Sequence, residues 1–349
     1  PERTLTLIET GPENGGRSPL EKSPHILHAN ALTTEWESFV PAKTIHYILG
    51  NPPFGGKHLQ NDGQKADMAM VFHGVKNFKS LDFVTGWYIK AARYIQGTAI
   101  KVAFVSTNSI SQGEQAGILW DELFRNYHIT IHFAHRTFQW RNEARGNAAV
   151  HCVIIGFANF DTPDKAIYEY EDIKGEPHKI DATNISPYLI DGPSSGLPNR
   201  STPLCDVPAM SYGSKPTDGG HLLMTDEEKI AFLQREPQAE PFIRPFVGAQ
   251  EFINGTRRWC FWLKDISPSS LKTMPLLFQR VANVRAMRLE SKKKATRELA
   301  QIPTLFGEVR DITSDYVVVP SVSSERRGFI PVGFLSKDVI ISNLCFAIP

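Results

Sequence analysis

The sequence predicts an α/β domain followed by a smaller α+β module. Three observations carry this. Short apolar runs alternate with amphipathic stretches through the first 160 residues. The composition then turns polar and rich in Pro, Gly, Ser, Asn and Asp. The remainder mixes helical patterns with short β runs.

In chain order, residues 25–31 and 45–49 read as strands. Residues 83–95 read as a helix, because Val84, Trp87, Tyr88, Ala91 and Ile95 recur at helical spacing. Residues 100–105 are a buried strand, 117–125 a helix, and 129–133 and 150–157 strands again. Such alternation argues for an α/β sheet with helices on its faces. The stretch 161–208 has few apolar runs and reads as a connector. The expected division is therefore a first domain over residues 1–160, a connector over 161–200 and a second domain over 201–349. In the second domain, Thr225 followed by Glu228 is a helix-starting capping box. Residues 275–301 read as one long helix, with Leu277, Val281 and Val284 on one face and Arg285, Arg288 and Lys292 on another. Residues 316–320, 329–332 and 339–341 read as short β segments.

A length of 349 residues fits about two domains, and 41% apolar residues is ordinary for a globular protein. No apolar run approaches the ~20 residues that span a bilayer, and the first residues lack the pattern of a signal peptide. The chain begins with Pro1 rather than Met, as expected of a piece of something longer. Cys152, Cys205, Cys260 and Cys345 are scattered, with no C-x-x-C pair, so neither a zinc knuckle nor a disulfide framework is expected. The eleven histidines show no metal-binding spacing, and no metal is expected. A reducing, cytoplasmic setting fits this cysteine usage. The net charge of +1 is uninformative, but seven basic residues fall between Arg280 and Glu298 against two acids. A solvated helix face is the plain reading of such a run; a phosphate-tracking surface is the functional one.

The chemistry centres on Asn51-Pro52-Pro53-Phe54, directly after the strand that ends at Leu49. Open α/β sheets bind ligands beyond the carboxyl ends of their strands. The two prolines fix the backbone and remove two N–H donors. What remains is a rigid loop dominated by acceptors, the Asn51 side-chain oxygen and the Pro52 carbonyl, with the flat Phe54 ring beside them. Two acceptors suit the two N–H groups of an exocyclic amine on a planar ring, which the aromatic would stack upon. A nitrogen held so, with its lone pair drawn out of conjugation, is placed to attack a methyl sulfonium.

Asn-Pro-Pro-Phe resembles the catalytic motif of amino-methyltransferases acting on adenine N6, cytosine N4 or a protein glutamine amide. With its flanks, the sequence resembles the MmeI-like family of large bacterial restriction-modification proteins. The flanking resemblance lies in His28-Ala29-Asn30-Ala31-Leu32 with Trp36, in Asp82-Phe83-Val84, in residues 104–113, in Phe138-Gln139-Trp140 with Asn142-Glu143-Ala144, and in residues 151–157. Later in the chain it lies in residues 241–248, Arg257-Arg258-Trp259-Cys260, Ser323-Ser324-Glu325-Arg326-Arg327 and residues 329–334. It covers nearly the whole chain.

The resemblance implies a Rossmann-like S-adenosylmethionine-dependent methyltransferase sheet, in its later part, followed by a target-recognition domain that reads double-stranded DNA in a bacterial cytoplasm. It implies catalytic roles for Asn51, Pro52, Pro53 and Phe54, a base contact for Phe138, and a cofactor border at Asn30, Ala31, Leu32, Asp82 and Phe83. The family's glycine-rich first motif is not seen here and is expected upstream, so this stretch would hold half a cofactor site. Arg285, Arg288, Lys292, Arg326 and Arg327 are the expected DNA contacts. The expected activity is adenine-N6 methylation of a flipped-out base. Cytosine-N4 methylation, protein-glutamine methylation and a DNA-binding specificity module without activity of its own remain alternatives. The recognised DNA sequence and the oligomeric state are not legible.

Overall fold

The computed structural model describes residues 4–7, 25–140, 150–197, 200, 202–324 and 327–349. The chain forms two compact units, Pro1–Ser201 and Thr202–Pro349.

In the first unit, β1 (Thr4–Leu7) pairs antiparallel with β2 (His25–His28). Then follow α1 (Trp36–Phe39), β3 (Tyr47–Gly50), α2 (Asp62–Val71), α3 (Thr85–Tyr94), β4 (Lys101–Thr107) and α4 (Gly113–Tyr127). The unit continues with β5 (Thr130–Trp140), β6 (Val150–Ala158), β7 (Lys165–Glu169) and β8 (His178–Ala182). Strands β3 to β8 make one mixed sheet in the order β3-β4-β6-β5-β7-β8. β3/β4 and β5/β7 are parallel pairs, and β4/β6, β5/β6 and β7/β8 antiparallel ones. Because β6 is reversed between β4 and β5, the strands β3, β4, β5 and β7 all run the same way. Their carboxyl ends, at Gly50, Thr107, Trp140 and Glu169, therefore lie along one end of the sheet.

Alternation in β4 sends Val102, Phe104 and Ser106 into the core, where they meet the buried faces of α3 and α4. The Tyr88 ring packs edge-on against Phe104 and Trp120 and stacks on Phe157, and its hydroxyl meets Ser106 Oγ at 2.8 Å. A tyrosine is tolerated there because its one polar atom has a partner.

Two strands, β7 and β8, lie in the stretch expected to be connector. β8 is exposed along most of its length and is an edge strand. It lacks apolar alternation, so periodicity cannot reveal it.

The second unit contains β9 (Ser211–Tyr212), β10 (Leu223–Met224), α5 (Asp226–Arg235), β11 (Ile243–Val247), α6 (Ala249–Asn254) and β12 (Trp259–Phe261). Next come α7 (Pro268–Lys272), α8 (Pro275–Leu289), α9 (Lys294–Glu298), β13 (Tyr316–Pro320), β14 (Gly333–Leu335), β15 (Ile340–Ile341) and β16 (Cys345–Ile348). They form two four-stranded sheets, β10-β12-β11-β15 and β14-β13-β16-β9. The capping box at Thr225 is present: Glu228 N donates to Thr225 Oγ1 at 3.2 Å, and Thr225 N to Glu228 Oε2 at 2.9 Å. The β segment expected at 329–332 falls at 333–335 instead. The single helix expected over 275–301 stops at Leu289, and the chain turns back through α9. Among the described residues no helix is long and apolar enough to cross a membrane.

Candidate active site and basic surface

The loop Asn51-Pro52-Pro53-Phe54 leaves β3 at its carboxyl end, beside Phe104 of the parallel strand β4. Asn51 and Pro53 are exposed, Pro52 is buried and Phe54 is half-buried against the core. Burial of Pro52 anchors the loop, while Asn51 stays exposed. Behind the loop, Val84 N donates to Phe54 O at 3.2 Å and Phe83 N to Gly55 O at 2.8 Å. Gln60 Nε2 donates to Gly55 O at 3.1 Å and to Leu81 O at 2.9 Å, clamping the two segments together. Gly55 has φ +48, and a Cβ there would lie 2.9 Å from Phe83 Cβ. Only glycine meets both demands without strain.

Asp82 and Phe83 complete this frame. The Asp82 carboxylate accepts from Thr107 Oγ1 at 2.8 Å and from Gln115 Nε2 at 3.1 Å, while Asp82 N donates to Gln115 Oε1 at 2.9 Å. Asp82 is 5% exposed and Phe83 0%. The turn after β2 is seated on the same first turn of α3. Leu32 is fully buried, and its methyls lie 3.1 Å from where a Gly86 Cβ would be. Asn30 O accepts the backbone N–H groups and the hydroxyls of Thr33 and Thr34, and Asn30 Nδ2 donates to Asp67 Oδ2 at 3.0 Å. The Ala31 carbonyl accepts from the Trp36 indole. Of the five residues expected to border a cofactor, only Asn30 presents appreciable surface. Ala31, Leu32, Asp82 and Phe83 are buried and seat the turn and the loop on one helix start.

Phe138 is half-buried near the carboxyl end of β5. Its ring stacks on Tyr170 at 5.3 Å, and Tyr170 Oη meets His135 Nδ1 at 2.8 Å. The His135 ring in turn stacks on Tyr168 at 4.3 Å. Burial pushes the His135 imidazole below its ordinary pKa, which favours the neutral ring, and pushes the Tyr170 phenol up. Asn142, Glu143 and Ala144 lie outside the described residues. Lys57 forms an ion pair with Glu114 at 3.0 Å, and that contact holds the Glu114 carboxyl below its usual range.

Gln60, Gln115, His135 and Tyr170 escaped sequence reasoning. The glutamines carry no local motif, and Tyr170 sits in the stretch that read as connector.

In the second unit, Arg285, Lys292 and Arg327 are exposed. Arg326 lies outside the described residues. Arg288 is 0% exposed, and the expectation that it touches DNA is corrected. Its guanidinium donates to five carbonyls, those of Pro216, Thr217, Leu299, Ile302 and Leu305, at 2.7–3.2 Å. Helix geometry explains this. Leu277, Val281, Val284 and Arg288 follow i, i+4, i+7, i+11 and share the buried stripe. The chain ends α8 and folds back because carbonyls from 299 to 305 converge on that one group. Arg280 is likewise structural, donating to His221 O and Leu223 O beside the Phe232 and Phe261 rings. Arg258 pairs with Glu251 at 3.4 Å.

Comparison with known proteins places this geometry in context. The family model described as "MmeI, DNA-methyltransferase domain" matches residues 9–169, and that described as "MmeI, target recognition domain" matches residues 191–349. The chain is 42% identical over 332 residues to DNA methyltransferase A of Bacillus subtilis (strain 168), covering 95% of this chain and 37% of that protein. It is similar to the Type IIL restriction-modification enzyme MmeI solved in complex with DNA, with 50% identity and a TM-score of 0.81 over 97% of this chain and 45% of that one. It therefore spans less than half the length of either relative.

Proposed function

This chain belongs to the MmeI family of restriction-modification DNA methyltransferases, joining a methyltransferase domain to a target recognition domain, and from that premise we propose that it carries the base-gripping part of an S-adenosylmethionine-dependent adenine-N6 methyltransferase. The observation that carries the reading is the loop after β3, with Asn51 exposed, the Pro52 ring buried and Phe54 half-buried beside them.

A base inside a duplex cannot reach such a loop, so the adenine leaves the stack. Asn51 Oδ1 and the Pro52 carbonyl accept the two N–H groups of its amine and draw the nitrogen lone pair out of the ring. Phe54 supports the ring plane. S-adenosylmethionine, when bound, supplies an electrophilic methyl group on a sulfonium. The residues present fit that donor in one respect: the Asn30 turn and the Asn51–Phe54 loop rest on the same helix start, so Asn30 would help to hold the cofactor close to the loop. After transfer, the surplus amine proton leaves to water. The Gly55, Gln60 and Asp82 frame keeps the acceptors in place before the base arrives, which is where the rate gain of a preorganised site originates. The second unit reads duplex DNA through Arg285, Lys292 and Arg327 among its contacts.

The test uses the full-length protein that contains this chain. Asn51→Ala removes one of two acceptors and is expected to lower kcat about 10²-fold or more, with duplex binding unchanged. Sequencing of modified bases then decides between adenine N6 and cytosine N4. Near-normal turnover by the variant rules out the role given to Asn51.

A further inference from the structure

The aromatic cluster near the carboxyl ends of β5 and β7, at the end of the sheet from which the Asn51–Phe54 loop leaves β3, owes its placement to a backbone irregularity. In the β5/β6 ladder, His135 pairs with Ile154 and Phe138 with Cys152. Three steps on β5 therefore oppose two on β6, a bulge of one extra residue. In a regular strand, residues three apart point to opposite faces. The extra residue cancels that, so His135 and Phe138 share the face of Ile154 and Cys152. Tyr168 is the β7 partner of His135, and Tyr170 follows two residues later, beside Phe138. The rings of Tyr168, His135, Tyr170 and Phe138 are thus linked by two stacked contacts and one 2.8 Å hydrogen bond. The β7 end is further tied to β5 by the Arg136–Glu169 ion pair at 2.5 Å and by Gln139 N donating to Ile173 O at 2.8 Å.

We propose that Tyr170 is a positioning residue for the target base: its ring backs Phe138, and its hydroxyl, held by His135, fixes the angle at which Phe138 meets the flipped base. The proposal rests on the reading that Phe138 touches that base. In this role Tyr170 acts through Phe138 rather than on the base directly. A half-buried phenylalanine ring at a strand end has a broad χ2 well. A stacked partner narrows it, and a partner tethered through its own hydroxyl narrows it further. Sub-ångström orientation of a reacting base is worth orders of magnitude in rate, so the second layer of the cluster acts on turnover rather than on DNA affinity.

The experiment compares Tyr170→Leu, Tyr170→Phe and Phe138→Ala in the full-length protein. It uses the duplex site found by sequencing modified bases, and a copy with 2-aminopurine at the target position. Expected are a kcat loss of about 30-fold for Tyr170→Leu and about three-fold for Tyr170→Phe, with KM for DNA and duplex binding within about two-fold of the parent. Tyr170→Leu also changes the emission of the bound 2-aminopurine, which a merely stabilising residue would not do. Tyr170→Phe keeps the ring and tests the tether alone; should Tyr170→Leu fail to fold, it decides the matter by the same two readouts. Wild-type kcat and emission in the folded Tyr170 variants, with Phe138→Ala impaired, overturn the positioning role alone. Wild-type behaviour in Phe138→Ala overturns the base contact and the proposal with it.

Discussion

Arg285 and Arg288 stand three residues apart on α8 and do opposite things. Arg285 reaches solvent, whereas Arg288 is enclosed and donates to five carbonyls. All five guanidinium N–H groups have geometry suited to such a cage, and lysine has only three donors on a point charge. Arg288→Lys is therefore expected to destabilise the second unit strongly, and Arg288→Met more so, by about 3–5 kcal/mol, because buried carbonyls lose their partners. Chemical denaturation of the full chain, followed by Trp fluorescence, checks this. A midpoint within error of the parent for Arg288→Met would show that water replaces the guanidinium. At this scale the sequence was partly legible. Asn51-Pro52-Pro53-Phe54 is readable because a local dipeptide chemistry fixes it. The fate of Arg288 was readable in its i+11 spacing from Leu277, but charge outweighed spacing in the reading. Gln60 and Gln115 were not readable, because their partners lie up to 33 residues away.

Among elements, the Asn51–Phe54 loop is held by the segment that opens α3, through Phe83 N to Gly55 O and Val84 N to Phe54 O. Alanine at Gly55 would have to adopt φ +48 and press on Phe83 Cβ at 2.9 Å. The left-handed conformation alone costs roughly 1–2 kcal/mol for an L-residue, and relief of the clash would move the loop. Gly55→Ala in the full-length protein is expected to fold with a modestly lower Tm and to lose kcat about 10- to 100-fold, with duplex affinity retained. A variant with parental kcat would separate the loop from its frame. Strands that are short apolar runs, such as β4 and β6, were legible because burial in the sheet demands apolar residues. β8 was not, since an edge strand with exposed residues is specified by its neighbour. The bulge in β5 left no signal either, yet it decides which face Phe138 occupies.

For the molecule as a whole, a methyltransferase-domain match and a target-recognition-domain match accompany two compact units, Pro1–Ser201 and Thr202–Pro349. With a net charge of +1, the proposed duplex binding rests on where cations are displayed rather than on bulk charge. Seven basic residues between Arg280 and Glu298 suggested one continuous basic face. The structure divides them: Arg280 and Arg288 hold the fold, Arg297 donates to the Ser291 and Lys292 carbonyls, and Lys294 faces Glu298 at 3.9 Å. Arg285, Lys292 and Lys293 remain displayed, as does Arg327 after β13. Each cation that meets a phosphate contributes about 0.9 to the slope of log affinity against log salt. Arg285→Ala, Lys292→Ala and Arg327→Ala are therefore each expected to flatten that slope by about one unit where the contact is to phosphate, on cognate and random duplex alike. A contact to a base edge instead costs about 1–3 kcal/mol on the cognate duplex only, with the slope nearly unchanged. Fluorescence anisotropy of the full-length protein on both duplexes across a salt series separates the two patterns. If all three variants keep parental affinity and slope on both duplexes, the duplex lies on another surface, and the basic run serves the fold and solubility alone.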